Sequence, residues 1–382
     1  MPTQTQRPAA ASAAQSELQS LLSTADIQMN GQRPWDPQIH NDRLYRRVWA
    51  GGSLAAGEAY VEGWWDCASL DEFFSRLLRA RVDQQLTRSW RALWMVLKAR
   101  LFNRQSVARA REVGKQHYDR DIDLFERMLD PRLVYSCGYW RRASTLAEAQ
   151  EAKLNLVCQK LRLRPGLRVL DIGCGWGSFA EYAARQYGVE VVGITISAEQ
   201  AAYSRRRCAD LPVEIRLQDY RTVEETFDRV VSIGMFEHVG HKNHRTYMET
   251  VRRCLEGPNA VTLLHTIGCS GSSVAADPWI DQYIFPNGLI PSQQQVMTAL
   301  DGLFIIEDWH NFGPDYDRTL MAWAENFEAA WPDIAGRYDE HFFRLWRYYL
   351  YQSAGAFRAR RNQLWQLVLS PEGTTRRYRS VR

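Results

Sequence analysis

The sequence predicts an α/β protein, with a doubly wound parallel sheet preceded by a smaller, mainly helical domain. Two observations predict the sheet: after Pro165, short apolar runs alternate with segments of helix length, and a cluster of glycines directly follows the first apolar run. A third observation concerns size. The chain has 382 residues, which exceeds a typical domain and favours two unequal parts.

The N-terminal region is divided into three parts by composition. Residues 1–20 are rich in Ala, Gln, Ser and Thr and lack the apolar core of a signal peptide, so we expect a disordered leader. Residues 21–102 have mainly helical patterns, with a strand-like stretch near Ile27–Ile39. The polar and basic residues 103–115 are the expected linker to a second domain, residues 116–382.

The segment from Arg76 to Lys115 is strongly basic, with eleven Lys or Arg against two acidic residues. Apolar residues such as Trp90, Trp94 and Leu97 recur within it at helical spacing. A basic amphipathic helix with aromatics is typical of a membrane-surface element. A packed helix with an ordinary solvated basic face explains the pattern equally well. Nucleic acid is not an expected partner, because no recognised binding module accompanies the charge.

Other global features indicate a cytoplasmic protein without a membrane span. No apolar run is long enough to cross a bilayer, and the seven cysteines lack the spacing of a disulfide framework. No Cys or His spacing resembles a zinc or iron site, so we predict no metal.

Seven apolar runs are the predicted strands of the sheet. They are Val169–Ile172, Val189–Ile194, Val213–Leu217, Arg229–Ile233, Ala260–His265, Phe304–Trp309 and Leu364–Leu369. Helix-length segments separate the early ones, which is the pattern of βαβ units. Ligands of such sheets bind beyond the carboxyl ends of the strands, at the point where the strand order reverses.

The turn after the first of these strands carries the strongest ligand signal. Asp171 is followed by Gly173, Gly175 and Gly177, so a ligand can approach the backbone closely. A dinucleotide site requires a third glycine at the helix start, where Ser178 stands. The spacing instead resembles the first motif of S-adenosylmethionine-dependent methyltransferases, whose loop packs against the amino-acid end of the cofactor. A glycine-rich turn without a ligand is the alternative.

Polar residues after the next two strands are candidates for the rest of that cofactor. Thr195 stands where many methyltransferases have an acid for the ribose hydroxyls, yet Thr195 and Gln200 can still hydrogen-bond a diol. Gln200 is also spaced from Ser197 as a capping box. Asp219, after Gln218, suits an adenine amino group, although an Asp here is as often a helix cap.

Four further polar residues lie near predicted strand ends or flank the sheet. Glu237 and His265 follow the fourth and fifth strands, Tyr316 follows the sixth, and Cys137 precedes the sheet among aromatic residues. Taken singly, each has an ordinary structural explanation, since a buried cysteine is usually part of a core.

Together, these segments resemble the cyclopropane fatty acid synthase family over nearly the whole chain. The strings that carry the resemblance are Gly51–Glu58, Gly63–Cys67, Gly114–Asp119, Tyr135–Trp140, Gly234–Gly240, Tyr283–Gly288 and Asp308–Phe312. The N-terminal part is similar to that of the bacterial phospholipid enzymes and is lacking in the shorter relatives that modify mycolic acids.

The resemblance implies a Rossmann-like class I methyltransferase fold and a defined reaction. A methyl from S-adenosylmethionine adds to a cis double bond of an acyl chain, and loss of a proton closes a cyclopropane ring. It implies a bound bicarbonate as the proton acceptor, held at the positions of Cys137, Glu237, His265, the Ile267 backbone and Tyr316. Glu237 as the direct base is the simpler alternative. The implied cofactor residues are Tyr135, Ser136, Asp171, Gly173, Gly175, Thr195, Gln200, Gln218 and Asp219.

The expected substrate is an unsaturated membrane phospholipid, reached from the inner face of the membrane by a peripherally associated protein. A homodimer is expected from the resemblance alone. Three other functions remain open: a methyl-branched or methylene product, a small amine acceptor, and a lipid-binding module without turnover. Four separated polar groups converging on one site argue against the last.

Overall fold

The structure, a computed structural model, describes residues 7–86, 122–257, 259–374 and 377–382. The chain divides into two compact units. The first takes its described residues from Met1–Phe102, Ala275–Pro286 and Leu320–Asn362, and the second from Asn103–Val274, Asn287–Thr319 and Gln363–Arg382. The second domain is therefore not the continuous segment 116–382 that the sequence predicts, because two later segments complete the first unit. The predicted linker, 103–115, lies outside the described residues.

The first unit is mainly helical, as predicted. Its elements are α1 (Arg7–Ser23), β1 (Gln38–Ile39), α2 (Arg43–Val61), β2 (Trp65–Asp66), α3 (Leu70–Arg79), α4 (Val82–Leu86), α10 (Pro278–Tyr283) and α13 (Glu340–Arg358). Most of the strand-like stretch near Ile27–Ile39 is loop, and only Gln38 and Ile39 pair, antiparallel with β2.

Helix α1 overlaps residues 7–20 of the segment predicted to be a disordered leader. Ala14 and Leu18 are buried, so α1 has an apolar face that composition alone hides. The Gln19 side chain also receives a hydrogen bond from the Met29 backbone N–H at 2.9 Å. Packing against neighbouring residues thus orders a segment whose composition favours disorder.

An aromatic core explains why two later segments belong to the first unit. Trp279 of α10 and Tyr348 of α13 lie 4.5 Å apart between ring centroids, and Tyr348 lies 5.4 Å from Tyr60 of α2. All three side chains are buried. A Cβ at Gly57 would lie 2.4 Å from the Trp279 indole, so glycine permits this close approach. Burying rings of this size contributes strongly to stability.

The second unit contains the predicted seven-stranded sheet. Its strands are β3 (Arg168–Ile172), β4 (Glu190–Thr195), β5 (Val213–Leu217), β6 (Arg229–Ile233), β7 (Val261–Cys269), β8 (Ile305–Asn311) and β9 (Asn362–Ser370). Their order is β5-β4-β3-β6-β7-β9-β8. Strands β3 to β7 pair in parallel, and β8 pairs antiparallel with β9. The strand order reverses between β3 and β6.

In the described part of this unit, six α-helices accompany these strands in chain order. They are α5 (Ile122–Met128), α6 (Leu146–Lys160), α7 (Ser178–Tyr187), α8 (Ala198–Arg207), α9 (His244–Arg253) and α11 (Gln293–Leu300). Helix α12 (Pro314–Ile334) begins in this unit and continues into the other.

Both faces of the sheet are buried, which explains the apolar runs in its strands. Consecutive residues Val169 and Leu170 belong to different hydrophobic clusters, and so do Val191 and Val192. Because successive side chains on a strand point to opposite faces, helices must cover both sides. Among the described helices, none combines the length and apolarity needed to cross a bilayer.

Candidate active site

A cavity opens beyond the carboxyl ends of β3, β4, β5 and β6, at the point of strand reversal. This is where an open α/β sheet is expected to bind a ligand. All nine residues predicted to bind the cofactor line this cavity. They are Tyr135, Ser136, Asp171, Gly173, Gly175, Thr195, Gln200, Gln218 and Asp219.

The glycine turn forms one wall of the cavity. Gly173, Gly175 and Gly177 have φ of +83°, +53° and +78°, a left-handed conformation that other residues adopt only at a cost. The backbone N–H groups of Gly173 and Cys174 both donate to the Ile194 carbonyl, which fixes the turn against β4. Helix α7 then begins at Ser178, so the turn passes directly from strand to helix.

A buried carboxyl group, Asp171, and a buried amine, Lys153, both line the cavity near the start of this turn. Asp171 Oδ2 has no hydrogen-bond partner among the described residues. Burial raises the pKa of Asp171 to about 7, against the opposing effect of Lys153. Lys153 of α6 donates to Ser136 Oγ at 3.0 Å, and burial lowers its pKa to about 8.

Some hydrogen bonds of the residues after β4 and β5 differ from those that the sequence predicts. Ser197 caps α8 by accepting from the Gln200 N–H at 3.3 Å, but the Gln200 side chain does not complete a capping box. Its Oε1 instead accepts from Thr195 Oγ1 at 2.9 Å. Asp219 caps a short 3₁₀ turn and binds the Arg221 guanidinium through both carboxylate oxygens, each at 2.8 Å. Asp219 thus caps the 3₁₀ turn and also lines the cavity, so the structure is compatible with both a capping role and a cofactor-binding role.

Cys137 is fully buried in the segment that connects α5 and α6, and unlike its neighbours Tyr135 and Ser136 it is not among the residues that line the cavity. Its Sγ donates to the Gly138 carbonyl at 3.1 Å, and Thr319 Oγ1 lies 3.8 Å from the sulfur. Burial holds the pKa of the Cys137 thiol well above its usual value. Cys137 is therefore a neutral thiol at physiological pH and not a thiolate nucleophile.

Glu237 lies in a 3₁₀ turn (Phe236–His238) directly after β6. Its Oε1 accepts from the backbone N–H of Ile267 at 2.7 Å, while Oε2 is buried with no described partner. Burial raises the pKa of Glu237 to about 7, and the Ile267 N–H opposes this shift. Ile267 thus acts on this site through its N–H, which orients the Glu237 carboxylate.

His265 lies within β7 and not at its end, since β7 continues to Cys269. The sequence places the end of this strand at His265, but the strand continues through Gly268, where a Cβ would meet the Trp365 indole at 2.1 Å. Gln366 Nε2 contacts His265 Nδ1 at 3.2 Å, and His265 Nε2 is buried without a described partner. Burial lowers the pKa of His265, so its ring is neutral.

Tyr316 lies buried in the first turn of α12, where its backbone N–H donates to the Gly313 carbonyl. The preceding Phe312 connects the two halves of the candidate site. Its ring lies 6.0 Å from His265 and 5.4 Å from Tyr139, which is two residues after Cys137. Of the other aromatic residues near these motifs, Phe236 stacks on His244 at 4.3 Å inside the core.

Sequence reasoning missed several residues that the structure brings to these sites. They are Lys153, Trp176, Arg221 and His238 in the cavity wall, Gln366 on His265 and Thr319 on the Cys137 segment. One of them had a readable signal. Lys153 shares the buried stripe of α6 with Ala149 and Val157, and a charge at such a position is unusual.

The arrangement can bind a small anion that both donates and accepts hydrogen bonds. Glu237 Oε2 is a buried acceptor when ionised and His265 Nε2 is a buried ring nitrogen, and neither has a partner among the described residues. Buried polar atoms are normally hydrogen-bonded, so two such atoms in one region indicate a missing partner.

Comparison with known proteins places the chain among cyclopropane synthases. The family model described as mycolic acid cyclopropane synthetase matches residues 105–367. The chain is 54% identical to cyclopropane-fatty-acyl-phospholipid synthase of Escherichia coli K12, over 92% of this chain and 91% of that protein. The cyclopropane synthase MmaA2 from Mycobacterium tuberculosis aligns with a TM-score of 0.64 and 33% identity, covering 68% of this chain and 97% of its own. Mycolic acid cyclopropane synthase CmaA1, solved with SAH and CTAB, aligns with a TM-score of 0.64, 32% identity and the same coverage.

Proposed function

The chain belongs to the cyclopropane synthase family, and from this membership we propose that it methylates a cis double bond of an unsaturated phospholipid acyl chain and closes a cyclopropane ring. One observation carries the proposal: the identity to the phospholipid enzyme covers 92% of the chain, whereas the aligned mycobacterial structures cover only 68%. A relative that matches through both units at 54% identity is the better guide to the substrate.

The cavity suits S-adenosylmethionine, which supplies the methyl group when bound. Gly173 and Gly175 let the cofactor approach the turn, because neither carries a side chain. Thr195 and Gln200 would hold the ribose hydroxyls, and Gln218 with Asp219 would hold the adenine. The unpartnered Asp171 Oδ2 is an acceptor for the cofactor ammonium.

Bicarbonate, which takes the proton when bound, fits the unpartnered atoms near β6 and β7. The ionised Glu237 Oε2 would accept a hydrogen bond from the bicarbonate hydroxyl. Gln366 Nε2 donates to His265 Nδ1, so the proton of the neutral ring lies on Nε2 and is donated to the anion. Tyr316 would provide a further donor, and the Cys137 thiol, which donates to the Gly138 carbonyl in the structure, would provide another if its S–H turned to the anion. Direct proton removal by Glu237 is the alternative, and its raised pKa suits either role.

The protein must also protect a carbocation, because water would convert it to an alcohol. An alkene is a weak nucleophile, so the site must hold it close to the methyl and exclude solvent. Buried residues around the candidate site, among them Cys137, His265, Phe312 and Tyr316, keep this region dry. The Tyr316 ring is the aromatic face that we assign to stabilising the cation.

Product analysis tests this function. The protein is incubated with S-adenosylmethionine, bicarbonate and vesicles of cis-unsaturated phospholipid, and the acyl chains are then analysed. We expect chains heavier by one methylene with the olefin lost. Unchanged chains under conditions where the cofactor binds would refute the proposal. A gain of one methylene with an olefin retained would favour the methylene-forming alternative, and a saturated chain with a methyl branch would favour the other.

We further propose that the protein works at the inner membrane surface as a peripheral protein of the cytoplasm, and as a homodimer. The support is the membrane location of its proposed substrate and the basic segment Arg76–Lys115. Most of that segment lies outside the described residues, so this proposal depends on the sequence.

A further inference from the structure

Lys153 is a buried lysine whose ammonium group contacts no described carboxylate, although Asp130 and Asp171 lie close enough to act on its charge. Its side chain is 1% exposed, and its one hydrogen bond is to Ser136 Oγ at 3.0 Å. Within the described residues it forms no ion pair. Burying an ammonium group without an opposite charge is costly, and such groups concentrate at binding and catalytic sites.

Lys153 also forms part of the cavity wall, together with Ser136 and Asp171. The Lys153 side chain is therefore buried beside a cavity and not within a continuous core. Although burial lowers its pKa, the value of about 8 leaves the ammonium form dominant at neutral pH.

The hydrogen bond between Lys153 and Ser136 has a defined polarity. An ammonium group only donates, so Ser136 Oγ is the acceptor and its own hydrogen is directed elsewhere. That hydroxyl donates to no described residue. Lys153 and Ser136 thus present donors, one of them charged, to the same part of the cavity.

The charges in the cavity match the amino-acid end of S-adenosylmethionine, which carries one carboxylate and one ammonium. Asp171 provides an acceptor for the ammonium. Of the two cationic residues in the described wall, Arg221 is already bound by both oxygens of Asp219. Lys153 is the cation that remains for the carboxylate.

Other residues of α6 already hold the backbone of the segment that contains Ser136, so Lys153 is not needed for that purpose. Gln150, one turn earlier on α6, donates to the Ser136 carbonyl at 2.7 Å. The Ala149 carbonyl accepts from the Tyr139 N–H at 2.8 Å and fixes the other end of the segment. A purely structural role would therefore duplicate contacts that α6 already makes.

From these observations we propose that Lys153 binds the cofactor carboxylate, together with the Ser136 hydroxyl. The inference rests on the proposed function, since it requires S-adenosylmethionine in the cavity. It adds a residue to the cofactor site that none of the nine sequence-predicted positions includes.

The test compares two ligands that differ only in the carboxylate. Binding of S-adenosylmethionine and of decarboxylated S-adenosylmethionine is measured by calorimetry for the unaltered protein and for Lys153→Met. We expect the unaltered protein to prefer S-adenosylmethionine by roughly tenfold or more, the usual strength of a hydrogen bond to a charged group. Lys153→Met should lose that preference while binding the decarboxylated ligand within about twofold of the unaltered protein. Equal weakening of both ligands, or an unchanged preference, would overturn the proposal.

Lys160→Met is the matched control. Lys160 lies on the same helix and is also buried, but it contacts His310 Nδ1 at 3.1 Å and does not line the cavity. Its loss should leave the ligand preference unchanged. If Lys153→Met does not fold, Ser136→Ala and Lys153→Arg replace it: Ser136→Ala should lower the preference and Lys153→Arg should retain more of it. If the unaltered protein binds neither ligand, the proposed function itself fails. If it binds and turns over normally but Lys153→Met keeps the preference, this inference alone fails.

Discussion

Burial sets the protonation state of each polar group at the candidate site. It raises the pKa of Cys137 and lowers that of His265, which makes one a thiol and the other a neutral imidazole. It raises the pKa of Glu237 to about 7, so of these three groups Glu237 is the one that changes charge near physiological pH. A site of neutral donors around one titrating carboxyl suits an anion that must receive a proton.

The raised pKa of Glu237 predicts a pH-dependent cost to stability. Between about pH 4.5 and 7 the unfolded chain releases this proton while the folded protein keeps it, so stability falls as pH rises. Glu237→Gln removes this cost. In bicarbonate-free buffer we expect the variant to be more stable than the unaltered protein at pH 8, by about 1–3 kcal/mol, with little difference at pH 4.5. Thermal unfolding at both values measures it.

Glu249→Gln is the control for that experiment. Glu249 lies on the exposed face of α9 and pairs with Arg245 at 3.0 Å. We expect its effect on unfolding to be small at both pH values. A stability change in Glu237→Gln that does not vary with pH would contradict the assigned burial of the charge.

At the scale of elements, the first two turns of α12 hold the segment that contains Cys137. Thr319 Oγ1 accepts from the Gly138 N–H at 3.0 Å and from Trp140 Nε1 at 2.9 Å. Asp315 Oδ2 accepts from the Trp140 N–H at 2.7 Å. A helix end thus fixes an irregular segment that has no strand or helix pairing of its own.

Thr319→Val should damage both stability and turnover. The substitution preserves shape but leaves the buried Gly138 N–H and Trp140 Nε1–H without an acceptor, which costs about 2–4 kcal/mol. Because Cys137 lies next to Gly138, we also expect kcat to fall at least roughly tenfold. Denaturant unfolding and product formation measure the two effects.

Thr250→Val is its control on another buried helix position. Thr250 Oγ1 donates to the Thr246 carbonyl one turn earlier in its own helix, and no described group depends on it as an acceptor. Its replacement should cost no more than about 1 kcal/mol and leave kcat unchanged. Equal effects of the two substitutions would show that Thr319 has no special role in the site.

At the scale of the whole molecule, the candidate site lies within one of the two compact units. The second unit contains the cavity and every candidate site residue. The first unit contains the aromatic core that two later segments complete. The basic segment after α4 lies mostly outside the described residues, so its role in membrane binding stays a prediction from sequence.

Replacing Arg88, Arg91 and Arg100 together by Gln should weaken binding to anionic phospholipid vesicles. Each basic residue near such a surface contributes on the order of 1 kcal/mol, and salt screens the attraction. We therefore expect the largest loss at low ionic strength, measured by cosedimentation. Equal binding of variant and unaltered protein at all salt concentrations would support an ordinary solvated helix face instead.

The control variant removes the same charge elsewhere. Arg164, Arg206 and Arg337 are exposed and scattered over the described surface, so replacing them by Gln alters net charge equally. If both triple variants lose the same affinity, the effect is one of net charge and not of a membrane-binding segment.

The sequence by itself determined the strands of the sheet and the glycine turn at which a ligand is expected to bind. All seven predicted strands are present within a few residues of their expected bounds, because burial on both faces forces continuous apolar runs. The spacing of Gly173, Gly175 and Gly177 was equally readable, since each has the left-handed conformation that favours glycine. The apolar strands and the glycine turn depend on residues that are close together in the sequence, so the local sequence pattern predicts them.

Only the tertiary structure decided which polar groups meet. His265 contacts Gln366 across 101 residues, and Thr319 joins the Cys137 segment across 181. Lys153 stands out as a charge in the buried stripe of α6, but only the fold shows that it lines the cavity. The charge state of each group depends on burial by distant elements, which local sequence does not encode. For that reason the sequence could identify a turn for a methyl donor, while the distribution of charge within the cavity required the fold.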